Sequence, residues 1–294
     1  MEIWPYLQAF IQSVRSGSFS AAAREAGTTP SAFSKKVAKL EAHLNLRLVV
    51  RGVHGLELTP EGLEFFHRVR QAFDDIEDAC AQATRATVPR GRVRVSAPRD
   101  LGRLWLMPRI ASFAQAWPQV ELEVSLSDQF VDLIAERVDV AVRVGTFEDG
   151  RLARRRIGRL RRCFCASPAY LRARGTPRTI EELAGHVHLA YLRGGLRVPW
   201  QLPGGGQLEP RGPFAADSND ALRQLLLDGL GIASVPELSV AEDVKRGRLE
   251  VFLEDMSEEG LPISLAFVRG RPLAPRIRAV VDFFAEAART SLPQ

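Results

Sequence analysis

The sequence has little cysteine and no long apolar run, and both deficits exclude whole classes of protein. Three cysteines among 294 residues are too few for a scaffold held together by disulfides. No stretch approaches the roughly 18–20 consecutive apolar residues of a membrane helix. The opening residues, MEIWPYLQAF, contain neither a basic stretch nor a long apolar core, so they do not resemble a secretory signal. We therefore expect a cytoplasmic protein without a membrane partner.

The motifs of common enzyme classes are missing as well. The histidines include one close pair, His186 and His188, and this spacing lacks the cysteine or carboxylate partners of a zinc site. The sequence contains no Gly-rich phosphate loop followed by Lys-Ser or Lys-Thr, and no Gly-x-Ser-x-Gly elbow. It therefore gives no positive support for catalysis, and it predicts neither a metal site nor a cofactor.

Two of the cysteines are close in sequence. Cys163 and Cys165 lie two positions apart in a predicted strand, so both side chains point to one face of it. Burial as small apolar side chains is one interpretation. A redox role is the alternative, although no neighbouring residue in the sequence favours it.

What the sequence does contain is a basic N-terminal segment. The formal net charge of the chain is +5, and residues 1–60 contribute seven lysines and arginines against four acidic residues. Such a segment permits binding to a polyanion without establishing it.

The same segment carries three short helical patterns. Ser18 is a suitable cap for the second helix, and Gly27 ends that helix. Thr28 or Thr29 caps the third, with Pro30 in the first turn, where a missing N–H costs nothing. The three patterns together predict a compact helical module.

The third helix has two different faces. Its apolar stripe should pack on the core and consists of Phe33, Val37, Leu40 and Leu44. A second face is small and polar and consists of Ser31, Ser34, Lys35 and Ala38, with Lys36 and Lys39 beside it. Such a surface fits a major groove and offers hydroxyl and ammonium donors to bases and phosphates. The alternative is the solvated face of an ordinary helix.

A two-stranded wing is predicted directly after the third helix. Leu46–Val50 and Leu56–Thr59 are β-prone, and residues 51–55 form a basic, glycine-bounded turn between them. A helix-turn-helix followed by a wing is a recurrent DNA-binding arrangement, so double-stranded DNA is the expected partner. The candidate DNA-binding residues are Thr29, Pro30, Ser31, Ser34, Lys35, Lys36, Lys39 and Arg51.

One long helical pattern then runs from about residue 60 to residue 87. Its apolar residues recur at alternating spacings of three and four, which is the a/d seam of a coiled coil. This seam predicts self-association, and the alternative is an amphipathic helix that packs on its own domain. The seam residues are Phe66, Val69, Phe73, Ile76, Cys80 and Ala83.

Strands alternate with helices beyond a break at Val88–Gly91, which predicts α/β sheets with helical crossovers. The predicted strands are 92–97, 120–127, 138–144, 162–166, 188–191, 213–216, 231–235, 250–253 and 263–268. The predicted helices are 101–117, 132–137, 169–174, 220–228, 239–246 and 275–288.

Together these motifs resemble the LysR-type transcriptional regulators over nearly the whole chain. The N-terminal motifs that resemble the family are Leu7, Phe10, Gly17–Phe19, Ala21–Ala23, Leu40-Glu41, Leu46–Leu48, Arg51, Leu58-Thr59 and Gly62. Those of the C-terminal part are Trp117–Leu122, Asp139–Arg143, Ala166–Leu171 and Gly229–Ala233. The family usually opens its recognition helix with Gln-Pro, whereas this chain has Pro30-Ser31. That departure concerns base preference rather than fold.

The resemblance implies an α+β multidomain fold: an N-terminal winged helix-turn-helix, a long linker helix, and a two-lobed α/β effector domain like a periplasmic binding protein. The implied boundaries are 1–60, 61–88 and 89–294, with lobe I at about 92–161 and 263–294 and lobe II at about 162–262. It also implies a dimer of dimers, and RNA polymerase as a further partner. A solute-binding protein or an enzyme of the same two-lobed fold is the competing interpretation, which the N-terminal module disfavours.

In such a cleft a ligand contacts strand C-termini and helix N-termini, where free backbone N–H groups attract anions. Arg99 and Arg143 have the side chain that binds a carboxylate bidentately, so a small carboxylate is the expected effector. Each candidate is alternatively a helix cap or a turn residue. The candidate effector-binding residues are Ser96, Pro98, Arg99, Ser127, Asp128, Arg143, Val144, Tyr191, Asp217, Ser218, Asn219 and Pro236.

Overall fold

The structure, a computed structural model, divides the chain into two compact units, Met1–Ala86 and Thr87–Gln294. It describes residues 3–52, 55–83, 88–129, 132–133, 135–254, 260–269 and 273–293. None of the helices in these ranges is both long and apolar enough to span a bilayer.

Helices dominate the N-terminal unit, and two of them begin at the predicted caps. The Ser18 hydroxyl accepts from the Ala21 N–H at 3.1 Å, and the Thr29 hydroxyl accepts from the Ala32 N–H at 3.4 Å. Gly27, with φ of 63°, makes the left-handed turn between these two helices. The elements are α1 (Trp4–Arg15), α2 (Phe19–Glu25), α3 (Pro30–Leu44), β1 (Val49–Gly52), β2 (Gly55–Leu58) and α4 (Pro60–Ala83).

Close backbone contacts hold the wing against the helices. Glu41 Oε1 accepts from the N–H groups of Leu48 and Val49 at 2.8 and 3.1 Å, which joins β1 to α3. Thr59 caps α4 by accepting from the Gly62 N–H at 2.9 Å. A Cβ on Gly62 would lie 1.9 Å from the Leu48 carbonyl oxygen, so only glycine fits there. The core beneath consists of Phe10, Ile11, Val37, Leu40, Leu48 and Phe66.

The second unit alternates strands and helices. Its elements are β3 (Gly91–Ala97), α5 (Arg99–Leu101), α6 (Ile110–Ala116), β4 (Val120–Leu126), β5 (Val140–Val144), β6 (Leu152–Leu160), β7 (Arg162–Ala166), α7 (Pro168–Arg174), β8 (Leu189–Arg193), β9 (Leu196–Arg197), β10 (Trp200–Gln201), β11 (Gln207–Leu208), β12 (Phe214–Ala216), α8 (Asn219–Leu227), β13 (Ala233–Pro236), α9 (Glu237–Lys245), β14 (Glu250–Phe252), β15 (Leu261–Val268) and α10 (Pro275–Arg289). A π-helical turn, Gly102–Leu106, and a 3₁₀ turn, Met107–Arg109, join α5 to α6.

Lobe I is a five-stranded sheet in the order β4-β3-β5-β15-β6. β3 is parallel to β4 and β5, whereas β15 is antiparallel to β5 and β6. The helical stretch from α5 to α6 and α10 cover one face, where Trp105, Phe113 and Phe284 are almost fully buried. Three parallel strands therefore end at the same edge of this sheet.

Lobe II contains two three-stranded sheets, β13-β7-β14 and β12-β8-β9. A single parallel bridge between His188 and Ile232 joins them. The chain enters this lobe between Leu160 and Arg162 and returns to lobe I at β15.

Several details of the second unit differ from the predictions. The predicted helix 101–117 is divided into α5, a π-helical turn, a 3₁₀ turn and α6, and the short strands β9, β10 and β11 were not predicted. The described residues of 132–137 form turns rather than the predicted helix. The strand β6 was not predicted, because Arg154, Arg155 and Arg156 interrupt the apolar alternation that identifies a strand. It is an edge strand, and a solvated edge tolerates charged side chains.

Candidate functional sites

The third helix presents a polar face on a rigid base. Phe33, Val37 and Leu40 are at most 4% exposed and fix the helix to the core of the unit. On the other side Lys35 and Ser34 reach solvent, the serine being half-buried. The further exposed residues of this face are Ser31, Lys36 and Lys39. Packing and exposure thus divide the helix as its sequence predicts.

Thr29 and Pro30 serve the start of this helix. The Thr29 hydroxyl, besides capping α3, lies 3.2 Å from the Ser31 hydroxyl. Pro30 occupies the first helical position and is exposed. Their exposed position leaves them available to a bound backbone phosphate, while their local role is to start the helix.

The predicted wing is a β1–β2 hairpin whose tip is only partly described. Val53 and His54 lie outside the described residues. Arg51 pairs with Leu56 in the β1–β2 hairpin, and its side chain is outside the described part of the structure.

The predicted seam of α4 divides into two halves. Phe66 is 7% exposed and packs edge-on against Phe10, so its side chain serves the core of its own unit. Val69 and Phe73 are partly buried on that same core, and the Phe73 ring stacks on Trp4 with centroids 4.1 Å apart. The other half is exposed at Ile76 and Cys80, and the side chain of Ala83 lies outside the described residues. Leu63, outside the seam, is also exposed at 48%.

Polar contacts join the two lobes of the second unit, and Asp128 takes part in them from lobe I. Its Oδ1 accepts from the Arg99 N–H at 3.0 Å, and its Oδ2 is 3.9 Å from the Arg99 guanidinium. From lobe II, the Tyr191 hydroxyl donates to Asp128 Oδ2 at 3.4 Å. Burial and the carboxylate raise the pKa of Tyr191 to about 12, so its phenol stays protonated. Three predicted residues are therefore brought together.

A second set of contacts between the lobes centres on Asp100. Asn219 Nδ2 donates to Asp100 Oδ2 at 2.5 Å, and the Ser239 hydroxyl lies 3.5 Å from the same oxygen. Next to them Arg103 pairs with Asp220 at 2.5 Å. Burial, the largest influence, raises the pKa of Asp100. Of these residues only Asn219 was predicted.

Two buried polar atoms of the second unit have no hydrogen-bond partner among the described residues. They are the Ser96 hydroxyl oxygen and Asn219 Oδ1. Ser96 is 1% exposed near the end of β3. An unsatisfied buried polar atom costs about 1–3 kcal/mol, so such atoms commonly meet water or a ligand.

The remaining predicted residues have mostly structural positions. Arg143 is buried in β5 opposite Ser264, with Glu136 as its charged neighbour. Val144 ends β5 opposite Ile263. The Ser127 hydroxyl accepts from the Gln129 N–H at 3.2 Å. Pro98 precedes α5, Asp217 is exposed, Ser218 precedes α8 without a side-chain cap bond, and Pro236 ends β13 opposite Arg162.

The sequence interpretation missed Asp100 and Arg162. Asp100 follows Arg99 in the first turn of a helix, where an acidic residue is ordinarily a capping partner. Arg162 was assigned only to the start of a strand. Within the described residues, no three His, Cys, Asp or Glu side chains gather as a metal site.

The comparisons with known proteins match both units. Residues 4–63 match the family model of the bacterial regulatory helix-turn-helix protein, lysR family, and residues 86–289 match the LysR substrate binding domain. The HTH-type transcriptional regulator CrgA of Neisseria meningitidis serogroup C (strain 8013) is 32% identical over 97% of each chain. The HTH-type transcriptional activator AaeR of Escherichia coli K12 is 28% identical over 98% of this chain and 96% of its own.

Solved structures match at full length. The structure of CrgA from Neisseria meningitidis, described as a LysR-type transcriptional regulator, is 31% identical with a TM-score of 0.63, covering 97% of this chain and 98% of that one. The full-length virulence activator AphB of Vibrio cholerae is 28% identical with a TM-score of 0.60, covering 97% and 99%.

Proposed function

Because this chain belongs to the family of LysR-type transcriptional regulators, we propose that it binds operator DNA through α3 and responds to a small molecule held between its lobes. Family models match both units in the order that a full-length regulator requires. Its curated relatives are transcriptional regulators, which supports a role in transcriptional control. It acts in the cytoplasm, where the chromosome of a bacterium lies.

The exposed face of α3 is the observation that supports this proposal most directly. Ser34 and Lys35 stand on a helix whose opposite side is locked by Val37 and Leu40. A rigid helix can enter a major groove without losing much conformational entropy. Hydroxyl and ammonium groups then reach base edges and phosphates, which provide discrimination and affinity respectively.

Self-association through α4 is the second element of the proposal. Ile76 and Cys80 are exposed seam residues, and Leu63 adds an exposed apolar side chain on the same helix. Exposed apolar side chains at seam positions of a long helix favour pairing with a second copy. A dimer, and two dimers in a tetramer, would place paired recognition helices on spaced half-sites, with RNA polymerase as a neighbouring partner.

The cleft between the lobes is the proposed effector site. Asp100, Asp128 and Tyr191 already form hydrogen bonds or ion pairs there, and Asn219 Oδ1 has no donor among the described residues. A molecule that binds one arrangement of the lobes better than another would shift the fit of the dimer on DNA.

DNA binding provides the test of the proposal. Fragments next to the protein's own gene should bind selectively, and the affinity should fall steeply as salt rises, because phosphate contacts release counterions. Ser34→Ala and Lys35→Ala should each cost on the order of 1–3 kcal/mol in discrimination or affinity. Gel-shift titrations at several salt concentrations measure both effects.

Lys245→Ala is the matched control, because Lys245 is an exposed lysine on α9 in the other unit. It should leave the affinity and the salt dependence unchanged. If both α3 variants bind the native fragment as tightly and selectively as the unaltered protein, α3 is not the helix that recognises the DNA sequence.

A further inference from the structure

Arg162 carries a charge that no carboxylate contacts among the described residues. It begins β7, immediately after the chain leaves lobe I. Its Nε donates to the Ser234 hydroxyl at 3.2 Å, and its Nη2 donates to the Ser234 carbonyl oxygen. Both acceptors are neutral. They orient the guanidinium without balancing its charge.

The partly buried surroundings of Arg162 mean that its charge costs free energy on folding. The side chain is partly buried, and that burial lowers the pKa of the guanidinium. Removing a cation from water without a counterion costs several kcal/mol, which is why buried charges are normally paired. A protein that retains such a group usually gains something other than stability from it.

The neighbours of Arg162 come from both lobes. Tyr191, on β8, cannot be its counterion, because its raised pKa of about 12 keeps the phenol neutral. Asp100, from lobe I, already binds Asn219 and Ser239. Arg162 therefore lies within electrostatic range of residues from both lobes, and Asp100 forms no ion pair with it among the described residues.

The two arginines predicted as carboxylate anchors are engaged as well. Arg99 is 58% exposed and lies beside Asp128. Arg143 is buried within the sheet of lobe I, near Glu136. Arg162 differs from both, because its guanidinium is fixed by neutral oxygens and no carboxylate forms an ion pair with it among the described residues.

We infer that Arg162 binds the negatively charged group of the effector, which is accordingly a small anion such as a carboxylate or a phosphate. This inference rests on the proposed effector cleft. The two-pronged guanidinium suits either group, because both present two oxygens in one plane.

Thermal melting of the full chain with simple anions tests this inference. The probes are acetate, benzoate and inorganic phosphate at constant ionic strength, with acetamide and benzamide as neutral analogues. At least one anion should raise the melting temperature of the second unit, Thr87–Gln294, which is here called the effector unit. The rise should reach a plateau as the anion concentration increases, because a ligand stabilises the state that it binds. Comparing the two carboxylates with inorganic phosphate shows which kind of anion the site binds.

Arg162→Gln should weaken the binding of that anion by about 10- to 100-fold, the value of a charge-assisted hydrogen bond. Arg161→Gln is the matched control, since it removes the same charge from the neighbouring exposed residue and should leave the shift intact. Arg162→Lys keeps the positive charge without the planar guanidinium and its paired N–H donors, so it should retain a smaller shift of the melting temperature. If Arg162→Gln fails to fold, Arg162→Lys is compared with the unaltered protein instead.

The inference is overturned if no anion shifts the melting temperature, if the amides act as well as the anions, or if Arg162→Gln responds like the unaltered protein. DNA binding separates this failure from that of the proposed function. Arg162→Gln should bind operator DNA in the absence of anions with unchanged salt dependence, because α3 lies in the other unit. If instead the unaltered protein does not bind DNA, the proposed function is wrong, regardless of whether anions shift the melting temperature.

Discussion

The recognition face and the effector cleft are assembled in different ways. All the polar residues of the α3 face come from one continuous segment, Thr29 to Lys39. The cleft collects Asp100 and Asp128 from lobe I and Tyr191 and Asn219 from lobe II, up to 119 positions apart in the chain. A helical period is enough to align the first set, whereas the second depends on how two lobes meet. Variants of one site should therefore leave the other intact.

The largest effect is expected for Gly62→Ala in the N-terminal unit. The added Cβ would lie 1.9 Å from the Leu48 carbonyl oxygen, and backbone on both sides leaves little room to relax. The unit should lose about 3 kcal/mol of unfolding free energy, and DNA binding should weaken with it. Chemical denaturation monitored separately for the two units measures this loss.

Gly150→Ala is its control, because nothing lies within 4 Å of the corresponding Cβ. It should change stability little. If Gly62→Ala instead lowers the stability of the effector unit as much as that of its own unit, the two regions are not independent.

An intermediate effect is expected from pH, through His188 of the effector unit. The Arg211 N–H donates to His188 Nδ1 at 2.9 Å, so the ring proton is on Nε2, which donates to the Leu183 carbonyl oxygen at 2.7 Å. Burial lowers the pKa of His188 below its ordinary 6.5, so the folded state keeps the ring neutral while the unfolded state protonates. Stability should therefore fall as pH drops below about 6.5, by at most about 1.4 kcal/mol per pH unit.

Denaturation curves between neutral and mildly acidic pH measure this slope. His188→Gln should remove its share of the slope, even if the variant is less stable at every pH. His43→Gln, at an exposed site on α3, is the control and should leave the slope of the effector unit unaltered. An unchanged slope in His188→Gln would show that other groups control the pH response.

The smallest effect is expected for Asp100→Asn in the cleft. Burial raises the pKa of Asp100, which means that burying its charged form costs free energy on folding. Asparagine removes that charge, keeps an acceptor for Asn219 Nδ2, and offers a donor to Asn219 Oδ1. The effector unit should gain up to about 1 kcal/mol of stability, since buried charges often cost more than their pairing returns.

Asp220→Asn is the matched control, because Asp220 is 53% exposed and pairs with Arg103 at the surface. Surface ion pairs contribute about 0–1 kcal/mol, so this variant should be neutral or slightly destabilised. A clear loss of stability in Asp100→Asn would mean that the charge of Asp100, rather than its hydrogen bonds, holds the lobes together.

The sequence predicted the N-terminal unit in detail because its signals are local. Ser18 and Thr29 form the expected caps, Phe33 and Val37 are buried as their spacing requires, and Lys35 is exposed. Each of these properties depends on residues within about one helical turn, and propensity, capping and periodicity act over that distance.

Local sequence signals do not determine which of several possible packing or charged partners a side chain contacts in the folded protein. The heptad spacing of α4 is real, but Phe66 is buried against Phe10 of its own unit, so only the later part of the seam is exposed to a partner. Arg99 and Arg143 have the right chemistry for an anion, yet their positions bring Asp128 and Glu136 beside them. Which charges are already neutralised is decided by residues distant in the chain.

The sequence by itself determined the family, the recognition helix with its exposed polar face, and the alternation of strands and helices in the second unit. Only the tertiary structure decided that β6 lies at the edge of the sheet of lobe I, that Asp100 joins the lobes, and that Arg162 binds neutral oxygens without an ion pair among the described residues. The physical reason is range: helix periodicity repeats within a few residues, whereas desolvation and ion pairing depend on every segment that folding brings near.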